Sequence, residues 1–146
     1  MRISTVLCPA LALAVAIACS SSIEPETVEG TWYLHAYNDS AVPGVAVFRS
    51  GSDSSLIAID SVRLQLNTAS ACTWLVHLAN QAANLATTCI WTLDASPDDL
   101  MVTVDGGFVL RGEAGEAALL LRDPNGNFLQ FEREPAVAEP EEPNPL

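Results

Sequence analysis

The sequence predicts an all-β fold, a small antiparallel meander barrel of about eight strands. Two observations lead to this prediction. Apolar and polar residues alternate with a period of two in many short segments, whereas no stretch keeps apolar residues at helical spacing for about three turns. Residues that accept turn dihedrals separate these segments. Short strands with regular turns between them are typical of meander barrels and sandwiches.

The alternation is clearest in four segments, which we predict as strands. They cover residues 62–66, 72–78, 88–93 and 100–104. Gly, Pro, Asn, Asp and Ser predict turns at 42–44, 67–70, 96–99, 105–107, 112–115 and 123–127. Residues 50–55 are rich in serine and have the composition of a flexible loop. Residues 79–86 favour either a short helical turn or a wide hairpin loop.

Two cysteines give a test of the strand register. A hairpin centred between Asn80 and Gln81 places Cys72 directly opposite Cys89, and it pairs Trp74 with a threonine. Facing residues of an antiparallel pair lie close enough for a cross-strand disulfide. We therefore predict a Cys72–Cys89 disulfide in an oxidising compartment, with two buried free cysteines as the alternative.

The first residues have the pattern of a secretory signal peptide. A positive start at residues 1–2 precedes an apolar run at 6–17, and residues 16–18 form a small-x-small cleavage site. The run is shorter than the ~20 residues that a membrane-spanning helix needs. We predict that residues 1–18 are a signal peptide and that the protein is exported.

The cleavage site Ala16-Ile17-Ala18-Cys19 resembles the lipobox of bacterial lipoproteins, in which the cysteine is acylated and becomes the first mature residue. The resemblance implies that Cys19 is lipidated and that the membrane is a partner through this anchor. The expected location is the cell envelope, at the outer membrane or periplasmic face if the organism is Gram-negative. The alternative is ordinary cleavage and secretion with an unmodified Cys19.

Composition divides the remainder of the chain into three parts. Residues 19–27 are polar and are predicted to form a flexible tether. Residues 28–132 carry the alternating pattern and are predicted to form the barrel domain. Residues 133–146 are rich in proline and glutamate and are predicted to be a disordered tail.

Several short segments resemble small bacterial lipoproteins with a lipocalin-like barrel. The opening Gly30-Thr31-Trp32-Tyr33-Leu34 is followed by an asparagine-containing turn and a proline, and segments 59–67, 89–93 and 127–133 follow in the same order. Residues 68–70 and 79–86 depart from the family pattern. A second resemblance, to META-type heat-shock lipoproteins, shares the tryptophan-x-leucine opening but lacks the glycine-cysteine-asparagine segment at 71–73. The first resemblance implies a lipocalin-like barrel that binds a small apolar ligand.

Charge and composition exclude several function classes. The 146 residues include 18 Asp and Glu against 6 basic residues, all of them arginine, so the formal net charge is -12. Without lysine the chain has no Walker loop, no Schiff-base lysine and no lysine general base. Nucleic acid is not an expected partner, because its phosphates bind to clustered positive charge.

The sequence carries no recognisable catalytic or metal-binding motif. His35 and His77, the two histidines, lie in separate predicted strands. Alternation places Tyr33, His35 and Tyr37 on one strand face, which is either an ordinary half-exposed face or the mouth of a cavity. Residues 123–134 have the spacing of a calcium loop, but the sixth position is a phenylalanine where that loop requires glycine. We therefore expect no catalytic residue, no metal, no cofactor and no enzymatic activity.

Three tryptophans are the candidate ligand-binding residues. Trp32, Trp74 and Trp91 each offer a large ring with one polar edge, and they are the predicted lining of a cavity. A packed core beside the disulfide is the alternative, since a small barrel is either filled by side chains or holds one small ligand. Two functions follow: an envelope lipoprotein that binds a small apolar ligand, or a structural or protein-interaction lipoprotein with a solid barrel.

Overall fold

The computed structural model describes residues 24–94 and 99–135. The predicted signal peptide, Cys19, the start of the tether and most of the tail lie outside these residues. The described part contains a single turn of α-helix, α1 (Pro25–Val28), a short 3-10 turn (Thr68–Ser70) and ten strands. The strands are β1 (Gly30–Tyr37), β2 (Ser40–Ala41), β3 (Gly44–Ser50), β4 (Asp53–Leu66), β5 (Ala71–Leu78), β6 (Leu85–Leu93), β7 (Leu100–Val104), β8 (Phe108–Ala114), β9 (Ala118–Arg122) and β10 (Phe128–Glu132).

Eight of these strands close an antiparallel barrel. Strands β4 to β10 each pair with the next along the chain, β10 pairs with β1, and β1 pairs back with β4. The predicted all-β meander barrel of about eight strands is confirmed. The short β2 pairs antiparallel with the last two residues of β1, and β3 pairs with the first half of β4.

The predicted register of the cysteine hairpin is confirmed. Cys72 lies opposite Cys89, and Trp74 lies opposite Thr87. The loop between β5 and β6 covers residues 79–84, so the wide hairpin loop is correct and the helical turn is not. Most inward-facing residues of the four predicted strands are buried, and Val76, Leu78 and Leu93 are partly buried against the core. Alternation accounts for this, because it places every second side chain on the inner face of the barrel.

Two predicted loops are wrong in part. The serine-rich segment 50–55 contains only a two-residue turn, since Ser54 and Ser55 belong to β4 and pair with β3. The predicted turn at 112–115 begins too early, because β8 continues through Gly112 to Ala114. A Cβ at Gly112 would lie 1.8 Å from the Leu120 carbonyl oxygen, so glycine there permits close approach of β9.

A bulge in β1 overturns the prediction that Tyr33, His35 and Tyr37 share a strand face. The pairing of β1 with β10 shifts between Leu34 and Ala36, so one extra residue enters β1 at His35. Tyr37 therefore turns inward and is buried, whereas Tyr33 and His35 remain half-exposed.

The β3–β4 hairpin, residues 44–59, is called the flap hairpin. Its strands pair from Gly44 with Ile59 to Ser50 with Asp53. A second bulge lies at Asp60, where the pairing with β5 shifts between Ile59 and Ser61. The flap hairpin begins where β4 leaves the barrel wall, which places it over one end of the barrel.

The loops define the two ends of the barrel. The β5–β6, β7–β8 and β9–β10 connections lie at the end covered by the flap hairpin, which we call the open end. The β4–β5 and β8–β9 connections, α1 and the end of β10 lie at the opposite, closed end. An antiparallel meander requires this division, because successive connections alternate between the two ends.

Candidate functional site

A cavity of about 440 Å³ lies at the open end of the barrel. Its walls are apolar side chains from the barrel strands and from the inner face of the flap hairpin. They are Leu34, Tyr37, Phe48, Ile57, Ile59, Val62, Trp74, Val76, Leu78, Phe108, Leu110 and Leu129. A concave, mostly apolar cavity of this size suits a small organic molecule.

Polar groups enter the cavity from the β9–β10 turn. Asp123 and Asn125 both line it, and Asp123 is the only charged residue among the described residues of the lining. Tyr37 supplies a phenol from the far end of β1. Burial raises the pKa of Tyr37 well above its usual range, and the negative charge of Asp123 raises it further. The phenol therefore stays protonated, within the electric field of the carboxylate.

Asn127 fastens the flap hairpin to the β9–β10 turn. This fully buried side chain accepts a hydrogen bond from the Arg49 amide at 2.9 Å and donates to the Arg49 carbonyl at 2.8 Å. It also accepts from the Asn38 side chain, which in turn donates to the carbonyl of Val47. The Asn127 side chain thus satisfies both the N–H and the C=O group of Arg49, and it covers part of the unpaired edge of β3.

Of the three tryptophans predicted to line a cavity, Trp74 does so. Its ring makes edge-to-face contacts with Phe108 at 6.0 Å and with Phe131 at 5.8 Å between centroids. Phe108 is partly exposed, and Phe131 is fully buried beneath the cavity. Trp74 therefore forms part of the boundary between the cavity and the solid core.

Trp32 and Trp91 are buried at the closed end and are not among the cavity-lining residues. The Trp32 indole donates to the Val28 carbonyl at 2.8 Å, and the Trp91 indole donates to the Asn67 carbonyl at 2.9 Å. These bonds satisfy the polar edges of both rings inside the fold. For these two residues the structure agrees with the packed-core alternative.

The closed end joins the described parts of the tether and the tail. The Arg133 guanidinium lies 3.7 Å from the centre of the Trp32 ring and donates hydrogen bonds to the carbonyls of Glu29 and Thr27. Partial burial lowers the pKa of Arg133. Val28, which is fully buried, and Arg133 therefore contact the barrel from the two ends of the predicted domain.

Cys72 and Cys89 lie at disulfide distance inside the barrel wall. Their sulfur atoms are 2.15 Å apart, their Cα atoms are 4.8 Å apart, and both side chains are buried. The structure supports the predicted pairing. Cys19 lies outside the described residues, so its lipidation stays a prediction.

Each histidine meets a carboxylate that sequence spacing did not indicate. The His77 Nδ1 atom lies 2.6 Å from Asp60, the bulge residue of β4, and His35 Nδ1 lies 3.6 Å from Glu132. Both pairs lie on the outer surface rather than in the cavity. Ser61 is opposite His77 in register, but no hydrogen bond joins the two side chains.

Two further findings concern the described residues. Within 24–94 and 99–135, no group of three or more His, Cys, Asp or Glu side chains could hold a metal ion. No helix in the same part of the chain is long and apolar enough to cross a bilayer.

No protein-family model matches this chain, and no curated protein or solved structure matches it either. The barrel fold therefore rests on the structure itself. The similarity to small lipocalin-like lipoproteins, which was drawn from short sequence segments, stays a prediction.

Sequence reasoning missed most of the cavity. Alternation groups Tyr37 with Tyr33 and His35, either on a half-exposed face or at a cavity mouth. Asp123 carries only the signal of a turn, and the residues of β3 are not predicted as a strand. A hairpin signal was present in the sequence. Phe48 follows Ala46 by two positions and Ile57 precedes Ile59 by two positions, on either side of the Gly51-Ser52 turn.

Proposed function

We propose that this protein is an exported, lipid-anchored protein of the cell envelope whose barrel binds a small apolar ligand. The observation that carries the proposal is the cavity of about 440 Å³ at the open end. Small-molecule sites typically occupy ~300–1,000 Å³ and are lined by apolar and aromatic side chains with few polar groups. The proposed role is binding without catalysis.

The walls indicate how such a ligand would be held. Trp74 and Phe108 offer aromatic surface on the barrel side, and Phe48 and Ile57 cover the ligand from the flap hairpin. The open-end turns leave polar groups at the rim. A ligand with a compact apolar body would bury its surface against these side chains, which is the main source of affinity for such molecules.

The position of α1 suggests an orientation at the membrane. α1 lies at the closed end, and the predicted anchor at Cys19 precedes it by a few residues. A barrel tethered in this way would hold its closed end toward the bilayer and its cavity toward the surrounding compartment. Soluble molecules would then reach the cavity without passing the anchor.

Ligand binding is tested by titrating the protein with decanol while following tryptophan fluorescence and the heat of binding. We expect a fluorescence change in the unaltered chain and in Trp91→Phe, because Trp91 lies at the closed end. Trp74→Phe should lose the change, because Trp74 lines the cavity. Absence of both fluorescence change and heat in the unaltered chain would refute the proposal.

Export and lipidation are tested separately, by measuring the intact mass of the protein expressed in a bacterial host with its own signal peptide. The expected product starts at Cys19, carries added acyl mass and has no thiol that can be alkylated without reductant. A product cut elsewhere and unacylated would refute the anchor but would leave the cavity proposal standing.

An exposed apolar face on the flap hairpin favours a second function, contact with another envelope protein. Val45 and Leu56 are 58% and 74% exposed, and Val47 lies directly opposite Leu56 on the same outer face. A photo-crosslinking residue at position 56 should capture a defined partner in intact cells. The same residue at position 111, on the exposed outer face of β8, is the control.

A further inference from the structure

We propose that the cavity prefers amphipathic ligands with a positively charged amine head over ligands of the same length with a carboxylate head. This inference rests on the proposed binding function and adds the chemical class of the ligand. It is carried by the placement of Asp123 in the cavity lining.

The first argument is charge. Asp123 is the only charged residue among the described residues that line the cavity, and the rest of the lining is apolar or neutral. A ligand that buries its chain against Trp74, Val76 and Leu110 must place its head toward a rim where the fixed charge is negative. A cationic head gains an ion pair there, whereas a carboxylate meets a like charge in a partly desolvated site.

The second argument is that the Asp123 carboxylate is held in place. Its Oδ1 accepts hydrogen bonds from the amides of Asn125 at 2.8 Å and Asn127 at 2.9 Å. Its Oδ2 accepts one bond, from the Asn127 side chain at 2.7 Å. Because each carboxylate oxygen has two acceptor sites, Oδ2 keeps capacity for one more donor. A preorganised acceptor binds a donor without the cost of ordering its own side chain.

The third argument is the neighbouring phenol. Tyr37 lines the same cavity, and its pKa is raised by burial and by the charge of Asp123. The influence of Asp123 on this group indicates that the carboxylate charge reaches into the cavity. An ammonium group has three donors and no acceptor, so it can donate to the carboxylate and still has donors for another oxygen of the lining.

The test compares three probes that share one chain: decylammonium, decanol and decanoate. We expect decylammonium to bind about tenfold or more tightly than decanol, and decanoate to bind more weakly than decanol. The comparison uses the unaltered chain and therefore does not depend on whether any variant folds. Displacement of decylammonium by decanol shows that both occupy one site.

A matched pair of variants assigns the preference to Asp123. Asp123→Asn and Glu113→Gln remove the same charge, but Glu113 is exposed on the outer face of β8. We expect Asp123→Asn to bring decylammonium and decanol to equal affinity and Glu113→Gln to retain the preference. Equal loss in both variants would mean that net charge alone attracts the amine, which overturns the assignment.

The remaining outcomes separate this inference from the proposed function. Equal binding of all three probes, or tighter binding of decanoate, would overturn the amine preference while the ligand-binding proposal stands. Absence of binding by all three probes would overturn the ligand-binding proposal, and the preference with it.

Discussion

The Cys72–Cys89 pair joins two neighbouring strands of the barrel wall, β5 and β6. The two cysteines are 17 positions apart in the sequence, so the bond closes a loop of that length. Closing a loop of this size stabilises a domain by about 3 kcal/mol in the chain-entropy model, because it restricts the unfolded chain. Cys72 lies opposite Leu66 in register, and both cysteines belong to the buried core, so they also contribute buried apolar surface.

We predict that Cys72→Ser lowers the unfolding temperature under oxidising conditions and changes it little under reducing conditions. The loss follows from release of the constraint on the unfolded chain. Thermal unfolding with and without reductant measures it, and Cys89→Ser is the matched control. An equal loss under both conditions would show that the two cysteines do not pair.

Tyr37 is expected to lower the free energy of unfolding of the barrel at alkaline pH. Its folded-state pKa is raised, so the folded chain keeps the phenol proton at pH values where the unfolded chain has lost it. The contribution is complete below the unfolded pKa of about 10 and is lost as pH rises from there toward the folded value. We predict that Tyr37→Phe reduces the fall in free energy of unfolding above pH ~10. Urea unfolding of both proteins at neutral and alkaline pH measures this, and parallel curves would contradict it.

The flap hairpin depends on polar contacts to remain over the cavity. Its free edge meets the β9–β10 turn through Asn127, and the Gly51 amide donates to the Asn125 side chain at 3.1 Å. The side-chain oxygen of Asn38 accepts a hydrogen bond from the Phe128 amide at 2.8 Å. The β1–β2 turn, which contains Asn38, therefore belongs to the same network. These contacts join three turns that are far apart in sequence.

We predict that Asn127→Ala destabilises the protein and releases the flap hairpin. The loss should be about 1–3 kcal/mol in total, because the partners left unpaired are at most partly buried. Hydrogen exchange of the Arg49 amide should become faster than exchange in β7, which the change does not touch. Asn125→Ala, at an exposed residue with one bond to the flap hairpin, should cause a smaller effect. Equal exchange rates in Asn127→Ala and the unaltered chain would contradict the prediction.

The barrel as a whole has one solid end and one hollow end. Trp32, Trp91 and Phe131 fill the closed half, and α1 and Arg133 pack against it, whereas the open half retains the cavity beneath the flap hairpin. This division is consistent with the proposed binding function, because the packed half stabilises the fold while the other half leaves a cavity unfilled by side chains.

We predict that Arg133→Ala loosens the closed end and lowers the free energy of unfolding by about 1–3 kcal/mol. The change removes the cation over the Trp32 ring and both hydrogen bonds to α1 and its neighbour. Arg133→Lys should cause an intermediate loss, because it keeps the charge without the planar fork. Urea unfolding and a red shift of tryptophan emission measure the effect. Unchanged values in Arg133→Ala would contradict it.

Local rules sufficed for much of the barrel. Alternation identified the inward faces of β4 to β7, and the spacing around Asn80 and Gln81 predicted which residues pair across that hairpin. These features depend on neighbouring residues and on the two-residue period of a strand, so a linear sequence contains them. The same rules failed at His35, where a single extra residue reverses the faces of β1 without a mark in composition.

The candidate site depended on contacts between distant parts of the chain. Tyr37 and Asp123 are separated by most of the barrel in sequence, and they share one cavity because β1 and β10 are neighbours in the closed sheet. Trp32 and Trp74 have the same chemistry, but one is buried under Arg133 and the other borders empty space. Alternation predicts that a side chain points inward. Whether it meets other side chains or a cavity is decided by how the sheet closes, which is a property of the whole fold.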